Sequence, residues 1–459
     1  MTEPALSQTN SPIVAAYIER TPTSAQLFQR AQASLPSGLT HDARHIDPYP
    51  IYVERAQGSR KWDVDGHEYV DYMGGHGALL LGHNHPEVTA VAKRQLDIGT
   101  HFGACHELEI RWAELIKEMI PSAEKVRFTS SGTEATLLAL RMSRGSTGKT
   151  KVIRYACHFH GWHDHFSAAY VNHFDGSAPI GVLNSVADDM IVVPPNDLDA
   201  TRVAIEGGDI AAVILEPTGA SWGHVPAPPE FVAGLRKLTA KHDVILIFDE
   251  VISGFRCSPG GAQAALGITP DLTTLAKIMA GGLPGGAVVG RTDLIDLISF
   301  DEDARGGHEK ILHFGTFNGN PESAATGIAC LEIVKNTDAC AHANRAAAKL
   351  RAGLTEVVID EKLPWGIYGT FSGFHIFTNP EKRKIDPVGF DPLAVPWQEL
   401  RAGDPPIANK LRLGMLVYGV DINGWPGGMT SAVSSDDDFD QTIDAFKRTI
   451  RDMKDEGDL

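Results

Sequence analysis

The chain has 459 residues, of which 43% are hydrophobic and 22% charged, as in ordinary soluble globular proteins, and its length favours about two to three structural units. The net charge of −17 argues against nucleic acid or an anionic membrane as a large partner. The five cysteines are scattered and form no CxxC pair, which argues against a disulfide framework and a structural zinc site.

The N-terminal part lacks a basic segment followed by a long apolar run, so we expect no secretory signal. The apolar stretches are too short to cross a bilayer, and we expect a cytoplasmic protein with reduced thiols. Residues 51–73 predict short antiparallel strands with a turn at Asp65-Gly66.

The middle of the chain alternates short aliphatic runs with helix-like segments. Residues 133–145 predict a helix that ends at Gly145, and residues 228–243 predict another helix. This alternation predicts an α/β fold with a parallel sheet covered on both faces, in which ligands collect at the carboxyl ends of the strands. The predicted strands are residues 125–128, 151–155, 211–215, 244–248 and 287–290.

The end of the chain predicts a helix over residues 434–453, capped by Ser434 or Ser435 and started by three aspartates. Residues 378–406 are rich in proline and charge and predict an irregular segment. We expect a large α/β domain over residues 76–330 and a smaller α+β domain built from residues 1–75 and 331–459. The expected buried stripe of the last helix is Phe439, Ile443, Phe446 and Ile450.

Residues 128–135 read FTSSGTEA and lie where a predicted strand gives way to a helix. Hydroxyl groups, a glycine and the positive end of the helix dipole make Ser131, Gly132 and Thr133 a candidate phosphate site. A plain Ser/Thr N-cap explains the stretch by itself about as well. It is not a Walker A loop, because no Gly-Lys-Ser/Thr follows.

Acidic residues follow two of the aliphatic runs. Asp249 and Glu250 stand at the kind of strand end where catalytic carboxylates lie in this architecture. Such an acid could coordinate magnesium or hold a proton on a ring nitrogen, and the alternative is a strand end that faces solvent. Glu216 ends the preceding run, where a buried acid would need a partner such as Arg44 or Arg256.

Four histidines crowd the stretch CHFHGWHDHF. A metal site is one interpretation, but thiols or carboxylates at zinc-ligand spacing are lacking elsewhere in the sequence. An aromatic and polar loop that includes Phe159 and His160 can instead stack on a planar ligand. The four are His158, His160, His163 and His165.

The run LAKIMAGGLPGG, residues 275–286, places Lys277 among apolar residues and ahead of four glycines. A surface lysine whose head reaches water and a desolvated amine that attacks a carbonyl both fit the run by itself. A ligand with a phosphate, a flat ring with a basic nitrogen and an aldehyde would use the hydroxyl turn, Asp249, the aromatic loop and Lys277 together. Pyridoxal 5'-phosphate (PLP) is such a ligand, and we expect it as the cofactor.

Seven motifs in order make the sequence resemble the class III, fold-type I PLP-dependent aminotransferases over about residues 25–455. Within that class it is most similar to the branch of glutamate-1-semialdehyde aminomutase, β-amino-acid aminotransferases and D-phenylglycine aminotransferase. The resemblance implies a fold-type I transferase with a mostly parallel central sheet. The motifs are WDVDGHEYVDYMGGHGALLLGHNHP, FTSSGTEATLLALR, FHGWHD, ILEPTG, LIFDEVISGFR, LAKIMAGGLPGG and FGTFNGNP.

The resemblance implies roles for the residues around the cofactor ring. Lys277 would bind the cofactor as a Schiff base and then carry the proton of the reaction, and Asp249 would keep the pyridine nitrogen protonated. Val251 and Phe159 would pack on the two ring faces, although the family often has tyrosine at the latter position. The remaining expected cofactor-binding residues near the ring are His160 and Glu216.

The resemblance also implies residues that bind the two charged ends of the ligands. Ser131, Gly132 and Thr133 would hold the cofactor phosphate. Thr316 would reach the phosphate of the neighbouring subunit, so a homodimer is the expected unit. Arg44 falls where this branch has an arginine that grips the substrate carboxylate.

One departure from the aminomutases concerns the substrate pocket. They carry Ser-Trp-Gly-Pro before LGH, whereas this chain has Gly75-His76-Gly77-Ala78, which replaces a large aromatic with His76. The change favours a ping-pong transaminase that moves an amino group from a β-amino or aryl amino acid, or a related amine, to a 2-oxo acid. The aminomutase is the alternative within the family, and a metallohydrolase built on the histidine loop is the alternative outside it.

Overall fold

The structure, a computed structural model, describes residues 10–301 and 309–459. Internal contacts divide the chain into two units. The first contains the described residues up to His76 together with Leu80–His85 and His342–Leu459, and the second contains Gly77–Leu79 and Pro86–Ala341. The boundary predicted between residues 330 and 331 falls inside a helix, whereas the contacts divide the chain after Ala341.

Strands of both units are short, and within the described residues they form three sheets. β1, β2, β3 and β14 form one sheet, β12, β13 and β15 form another, and seven of the strands from β4 to β11 form the largest. The strands are β1 (Val53–Gln57), β2 (Arg60–Asp63), β3 (Glu68–Asp71), β4 (Lys125–Thr129), β5 (Lys151–Tyr155), β6 (Met190–Val193), β7 (Ile210–Leu215), β8 (Val225–Pro226), β9 (Ile245–Asp249), β10 (Leu272–Ala276), β11 (Gly286–Gly290), β12 (Gly366–Tyr368), β13 (Gly373–Phe377), β14 (Val420–Asp421) and β15 (Gly427–Met429).

Helices lie between most of these strands. Within the described residues, no helix combines the length and apolar character needed to span a membrane. The longer helices are Pro12–Arg20, Pro22–Gln32, Pro86–Ile98, Glu107–Met119, Gly132–Thr147, Leu198–Glu206, Pro229–Lys241, Pro321–Asn336, Ala339–Asp360, Pro405–Val417 and Asp436–Asp455. The short helical turns are Pro36–Gly38, Asp42–Arg44, Gly74–Gly77, Asp164–Phe166, Asn184–Ala187, Ala220–Gly223, Gly261–Leu266, Lys277–Ala280, Thr292–Ile295, Asp296–Ile298, Pro392–Ala394 and Trp397–Ala402.

The large sheet has the order β4-β11-β10-β9-β7-β5-β6 and is mostly parallel, as predicted. β11 pairs antiparallel with β4 and with β10, and the other neighbours pair parallel. Every residue of β7, β9 and β10 is buried, because helices cover both faces of a sheet of this kind. The six parallel strands therefore end at one common edge.

Alternate residues of the central strands belong to two separate cores, one on each face of the sheet. Ile214 of β7 packs in the core that includes the helix Gly132–Thr147. Its neighbour Val213 packs in the core that includes the helix Pro229–Lys241. The predicted α/β fold with a doubly covered sheet is confirmed, and the carboxyl edge of the sheet is left to carry polar groups.

The helix predicted to end at Gly145 continues to Thr147. Its C-cap is Gly148, which has a left-handed backbone with φ of 65° and donates its N–H to the Arg144 carbonyl. Gly145 serves packing instead, since a Cβ at this position would lie 3.1 Å from the Ile311 side chain. The prediction chose the wrong one of two nearby glycines because only the packed structure distinguishes a cap from a close contact.

The first unit combines residues from both ends of the chain in one α+β arrangement. β3 pairs antiparallel with β2 and parallel with β14, and Gly66 has the positive φ of 89° expected of the turn before β3. Lys61 of β2 bridges two aspartates at the centre of this sheet, at 2.9 Å from Asp71 and 2.5 Å from Asp421. These pairs join the N-terminal and C-terminal parts of the chain.

The last helix, Asp436–Asp455, follows the expected pattern. The Ser435 hydroxyl accepts from the Asp438 N–H and the Asp438 carboxylate accepts from the Ser435 N–H, which is a capping box. Three members of the predicted stripe are buried and Ile443 is partly buried in the same core. The segment 378–406 holds only the short turns Pro392–Ala394 and Trp397–Ala402 and the first residues of a longer helix.

Candidate active site

Most of the predicted cofactor residues lie at the carboxyl edge of the large sheet, all within the second unit. β9 ends at Asp249, β10 is followed directly by Lys277, and β7 is followed directly by Glu216. β4 leads into the hydroxyl turn of residues 131–133, and β5 leads into the histidine loop. Parallel pairing of these strands is what brings side chains from distant parts of the sequence to one edge.

Asp249 is held by donors from three segments of the chain. One carboxylate oxygen lies 2.7 Å from His160 Nδ1, and the other accepts from the Val251 N–H at 3.1 Å and from the Thr274 hydroxyl at 3.2 Å. The residue is only 4% exposed. A buried carboxylate fixed in this way can present a negative charge to a bound cation without reorganising.

His160 is a buried member of the histidine loop. Burial lowers the pKa of its imidazole, and the neighbouring Asp249 carboxylate opposes that shift. With Nδ1 assigned as the donor to Asp249, its Nε2 is a buried atom without a hydrogen-bond partner in the described part of the protein. The imidazole thus orients the aspartate and leaves one polar atom unsatisfied at the site.

Arg154, which no motif of the sequence marks as functional, holds the histidine loop against the sheet. Its guanidinium is fully buried and donates to the carbonyls of His158, Phe166 and Ala168. Burial lowers its pKa to about 10. A charged residue inside the apolar strand KVIRY was the only signal in the sequence, and it did not reveal which carbonyls the side chain would reach.

Phe159 and Val251, the residues expected on the two ring faces, both lie at this edge. The Phe159 ring is 41% exposed and packs against Tyr170 at 4.8 Å between ring centroids. Val251 lies against the hydroxyl turn, where a Cβ added to Gly132 would come within 2.9 Å of its methyl group. The glycine therefore lets the turn approach the valine closely.

Lys277 begins a short helical turn immediately after β10, with a left-handed backbone at φ of 55°. Burial lowers the pKa of its ammonium group, while the nearby carboxylates of Asp249 and Glu216 oppose the shift and Arg256 reinforces it. Strained backbone and a destabilised ammonium are both typical of a functional amine. These observations favour the nucleophile over a surface lysine.

Glu216 takes hydrogen bonds from the backbone. Its carboxylate accepts from the N–H groups of Phe159 at 2.8 Å, Ser221 at 3.1 Å and Trp222 at 3.3 Å. Burial is the larger cause that raises its pKa to about 7, and repulsion from Asp249 is the smaller one. The hydrogen bonds oppose both. The acid joins the loop after β7 to the loop after β5.

The hydroxyl turn starts the helix Gly132–Thr147. The Ser131 hydroxyl caps it by accepting from the Glu134 N–H, and the Glu134 carboxylate accepts from the Ser130 N–H at 2.6 Å. The first N–H groups of a helix have no partner within it and point toward the positive end of the dipole. The cap interpretation and the anion-site interpretation are therefore compatible here.

The glycines after Lys277 have separate structural reasons. Gly281 has φ of 67°, and a Cβ there would lie 2.6 Å from the Thr326 carbonyl oxygen. Gly286 pairs with Thr129 and Ala276 in neighbouring strands, and a Cβ there would lie 2.6 Å from the Ser131 carbonyl oxygen. Gly286 thus allows the hydroxyl turn after β4 to pack closely against β11, the strand that separates β4 from β10.

Thr316 lies in an exposed turn of the second unit, and its carbonyl is 2.5 Å from His101 Nε2. Two arginines hold the chain that leads to it. Arg127 contacts both the ring and the carbonyl of His313, and Arg141 donates to the Leu312 carbonyl. The predicted phosphate-binding threonine is therefore presented at the surface of the protein.

The two predicted substrate residues, Arg44 and His76, belong to the first unit. Arg44 ends the short turn Asp42–Arg44, and its guanidinium donates to the Thr40 hydroxyl at 2.7 Å. His76 has a left-handed backbone with φ of 55°. Gly77, the next residue, belongs to the second unit, where its carbonyl accepts from the buried Arg256 at 2.9 Å.

The histidine loop places its rings together without forming a metal cluster. His165 Nε2 contacts Arg144 at 2.9 Å, and His163 Nε2 contacts the Thr136 hydroxyl at 3.3 Å. Burial lowers the pKa of His163 to about 3 and that of His158 well below its usual value. Across the described ranges, no three His, Cys, Asp or Glu side chains are arranged to hold a metal ion.

The residues at the sheet edge fit PLP. The helix start with its serine and threonine suits a phosphate, Asp249 suits a protonated ring nitrogen, and Lys277 suits an aldehyde. The unsatisfied Nε2 of His160 is a buried polar atom still available to a ligand. None of the roles just described for these residues requires a metal ion.

Comparisons with known proteins agree with this description. Residues 41–385 match the family model "Aminotransferase class-III". A glutamate-1-semialdehyde 2,1-aminomutase from Methanothrix thermoacetophila is 37% identical over 441 residues, which cover 94% of this chain and 96% of that protein.

Solved structures match over nearly the whole chain as well. An omega-transaminase from Sphaerobacter thermophilus superposes with a TM-score of 0.84 at 32% identity, covering 95% of this chain and 99% of that one. A beta-phenylalanine aminotransferase from Variovorax paradoxus superposes with a TM-score of 0.83 at 28% identity, covering 97% and 98%. The matches also include a transaminase with PLP bound and an aminomutase with PMP bound.

Proposed function

The chain belongs to the class-III aminotransferases and is a PLP-dependent enzyme, and from that premise we propose that it moves an amino group from a β-amino or aryl amino acid, or a related amine, to a 2-oxo acid. The observation that carries the proposal is the pairing of Lys277, whose ammonium pKa is lowered, with the fixed Asp249 carboxylate at the same sheet edge. The first supplies a nucleophilic amine and the second a stable negative charge.

PLP, when bound, supplies an aldehyde that takes up amino groups and a ring that accepts electrons. Ser131, Gly132 and Thr133 would bind its phosphate at the helix start. Phe159 and Val251 would confine the ring, while Glu216 fixes the backbone of Phe159 and His160 fixes Asp249. These residues orient the reacting atoms and exclude water.

The proton transfer is assigned to Lys277. Its amine would hold the cofactor through the aldehyde group. The same side chain, once free, would act as the acid and base that moves the proton of the donor carbon. Asp249 would hold the proton on the ring nitrogen throughout, and His160 would keep that carboxylate in place.

Three observations support the donor class. Arg44 offers a guanidinium for a substrate carboxylate, and His76 stands where the resemblance implies a larger aromatic side chain in the aminomutases. The beta-phenylalanine aminotransferase and the omega-transaminase match this chain over nearly their full lengths. The acceptor, a 2-oxo acid, would use the same carboxylate contact in the second half of a ping-pong cycle.

We also propose a homodimer in which Thr316 contacts the phosphate bound by the neighbouring subunit. The chain around this threonine exposes large apolar side chains, which are 58% exposed at Leu312, 86% at Phe314 and 59% at Phe317. Contiguous exposed apolar groups of this kind support an interface with another protein chain.

The replacement Lys277→Ala tests the function. We expect the absorbance band of lysine-bound cofactor to vanish and amino transfer to fall by on the order of 10³-fold or more, because the nucleophile and the proton carrier are lost together. The matched control is Lys237→Ala, which removes an exposed helix lysine and should change neither property. A Lys277→Ala protein that keeps the band would contradict the proposal.

The aminomutase is a second candidate, favoured by the 37% identity to the curated aminomutase. It predicts conversion of glutamate 1-semialdehyde with no added amino acceptor. A transaminase predicts that product forms only when a 2-oxo acid is supplied and that the amounts of donor consumed and acceptor aminated are equal. Measuring both products with and without the acceptor decides between the two reactions.

A further inference from the structure

His41, within the first unit, contacts both the turn that carries Arg44 and the ring of His76. Its ring stacks on the His76 ring, with centroids 4.7 Å apart and the planes inclined by 17°. Offset stacking of this kind joins two flat side chains into one continuous surface. The two histidines are far apart in sequence, so nothing but the fold brings them together.

The same His41 side chain fixes the turn that carries Arg44. Its Nδ1 accepts a hydrogen bond from the Ala43 N–H at 3.1 Å, which caps the turn Asp42–Arg44. Arg44 then donates back to the Thr40 hydroxyl at 2.7 Å. The side chains of His41 and Arg44 are therefore anchored within residues 40–44, although all five of these residues are exposed.

The segment that carries His76 is fixed from its other end. Asp71 accepts from the N–H groups of Met73 at 3.0 Å and Gly74 at 3.2 Å, and it is itself held by Lys61 and His83. The backbone of Gly75 and His76 is left-handed, with φ of 59° and 55°. A non-glycine residue held in this conformation by its surroundings is typical of a binding site.

We propose that His41 is a specificity-determining residue that joins Arg44 and His76 into a single recognition surface for a donor with a carboxylate and a flat side chain. The proposal rests on the proposed function. The Arg44 guanidinium would take the carboxylate, and the stacked imidazoles would take the aryl group. His41 contributes to both, through its hydrogen bond to the turn and through its ring.

Two substitutions separate these contributions. His41→Asn keeps a side-chain acceptor for the Ala43 N–H but removes the aromatic face. His41→Phe keeps a flat ring on His76 but removes the acceptor. The control is His45→Asn, which alters an exposed histidine of the same segment that lies outside the stacked pair.

The measurement is the calorimetric affinity of the PLP-loaded protein for 3-phenylpropionate and for 3-cyclohexylpropionate, which share a carboxylate but differ in flatness. His41→Phe should lower the affinity for both compounds by roughly 5-fold, because the turn that carries Arg44 loses its cap. His41→Asn should weaken only the phenyl compound, by roughly 3- to 5-fold, because the stacking face is lost. With a carboxylate donor, KM should rise accordingly while kcat stays near that of the unsubstituted protein.

The outcomes distinguish this inference from the function on which it rests. If the protein transfers amino groups but both His41 variants bind the two compounds like the His45→Asn control, the role of His41 is overturned. The role would also be overturned if His41→Asn weakened the binding of both compounds equally, because that result would mean that the turn carrying Arg44 had lost its structure. If cofactor binding is absent, the proposed function fails independently, as the absorbance of Lys277-bound cofactor reports it.

Discussion

The two acids at the sheet edge differ in what surrounds them. Asp249 accepts from an imidazole and a hydroxyl as well as from a backbone N–H. Glu216 has three backbone N–H partners, and burial still raises its pKa to about 7. A carboxyl group with such a pKa titrates near neutral pH, so its charge is not constant there.

Glu216 gives a prediction for stability. Its pKa is raised from 4.5 to about 7 on folding, so the folded protein binds the proton more tightly than the unfolded chain does. The protonated carboxyl therefore stabilises the fold. This stabilisation is present in full below pH 4.5 and is lost as pH rises toward 7. Glu216→Gln carries no such titration. The free energy of unfolding of the unsubstituted protein relative to this variant should fall by about 3 kcal/mol over that window.

Urea unfolding at several pH values measures this difference. Glu114→Gln is the control, since it changes an exposed glutamate on the helix Glu107–Met119. Parallel curves for the Glu216→Gln and unsubstituted proteins across pH 4.5–7 would contradict the prediction.

Among the elements, the helix Gly132–Thr147 depends on close contact at its first residue. A Cβ at Gly132 would lie 2.9 and 3.0 Å from the two methyl groups of Val251, and both neighbours sit on short segments fixed by strands. Separations below 3 Å force one of the two segments to move. The hydroxyl turn and the residue expected on the ring face are therefore coupled by packing.

Gly132→Ala should weaken PLP binding by roughly 10-fold or more. The added methyl group overpacks the contact at a cost of about 1–3 kcal/mol and displaces the start of the helix. Val251→Ala removes the clash but also removes a contact with the ring. Gly132→Ala should therefore weaken PLP binding less in the Val251→Ala background than in the unsubstituted protein. Cofactor titration followed by absorbance measures the affinity for PLP of Gly132→Ala, Val251→Ala and the double variant.

A second glycine provides the control for that experiment. Gly424→Ala introduces a Cβ with no neighbour closer than 4.0 Å and should leave the affinity for PLP unchanged. An equal loss of PLP affinity on Gly132→Ala with and without Val251→Ala would mean that the loss arises from something other than the contact with Val251.

At the scale of the whole molecule, the proposed dimer makes the exposed segment around Thr316 part of the active site. Phe314→Asp places a charge on a side chain that is 86% exposed, and we expect the protein to shift from dimer to monomer and to bind PLP more weakly. Sedimentation velocity and cofactor titration measure the two effects. A dimer that persists with unchanged cofactor affinity would contradict the proposed interface.

The matched control is Val203→Asp. Val203 is 62% exposed on the helix Leu198–Glu206 and is also apolar. This substitution adds the same charge on a different surface and should leave both the oligomeric state and the cofactor affinity unchanged.

The fold and the site were predictable from the sequence to different extents. Residues 133–145 and 228–243 carry the helical period, and the aliphatic runs carry the strands, so these elements appeared where expected apart from their ends. The strands β6 and β10 were not predicted. β10, which precedes Lys277, reads LTTLA, and its two threonines interrupt the continuous aliphatic run that marks the other central strands.

The site contained residues that local patterns do not reveal. Arg154 reaches three carbonyls of the loop after its strand, and Thr274 reaches Asp249 from the next strand of the sheet. Glu216 was expected to need an arginine, and its observed partners are backbone N–H groups. Such contacts depend on loop geometry, which no short-range pattern encodes.

The sequence by itself determined the alternation of strands and helices, the capping of the last helix, and the candidates Lys277, Asp249 and residues 131–133, because periodicity, capping and motif spacing depend on neighbours along the chain. Only the tertiary structure decided that Gly148 rather than Gly145 ends its helix, that His160 holds Asp249, and that His41 stacks on His76. The packing of Gly145 against Ile311, which leaves Gly148 as the cap, and the two other contacts join residues distant in sequence, and they form only when packing brings the segments together.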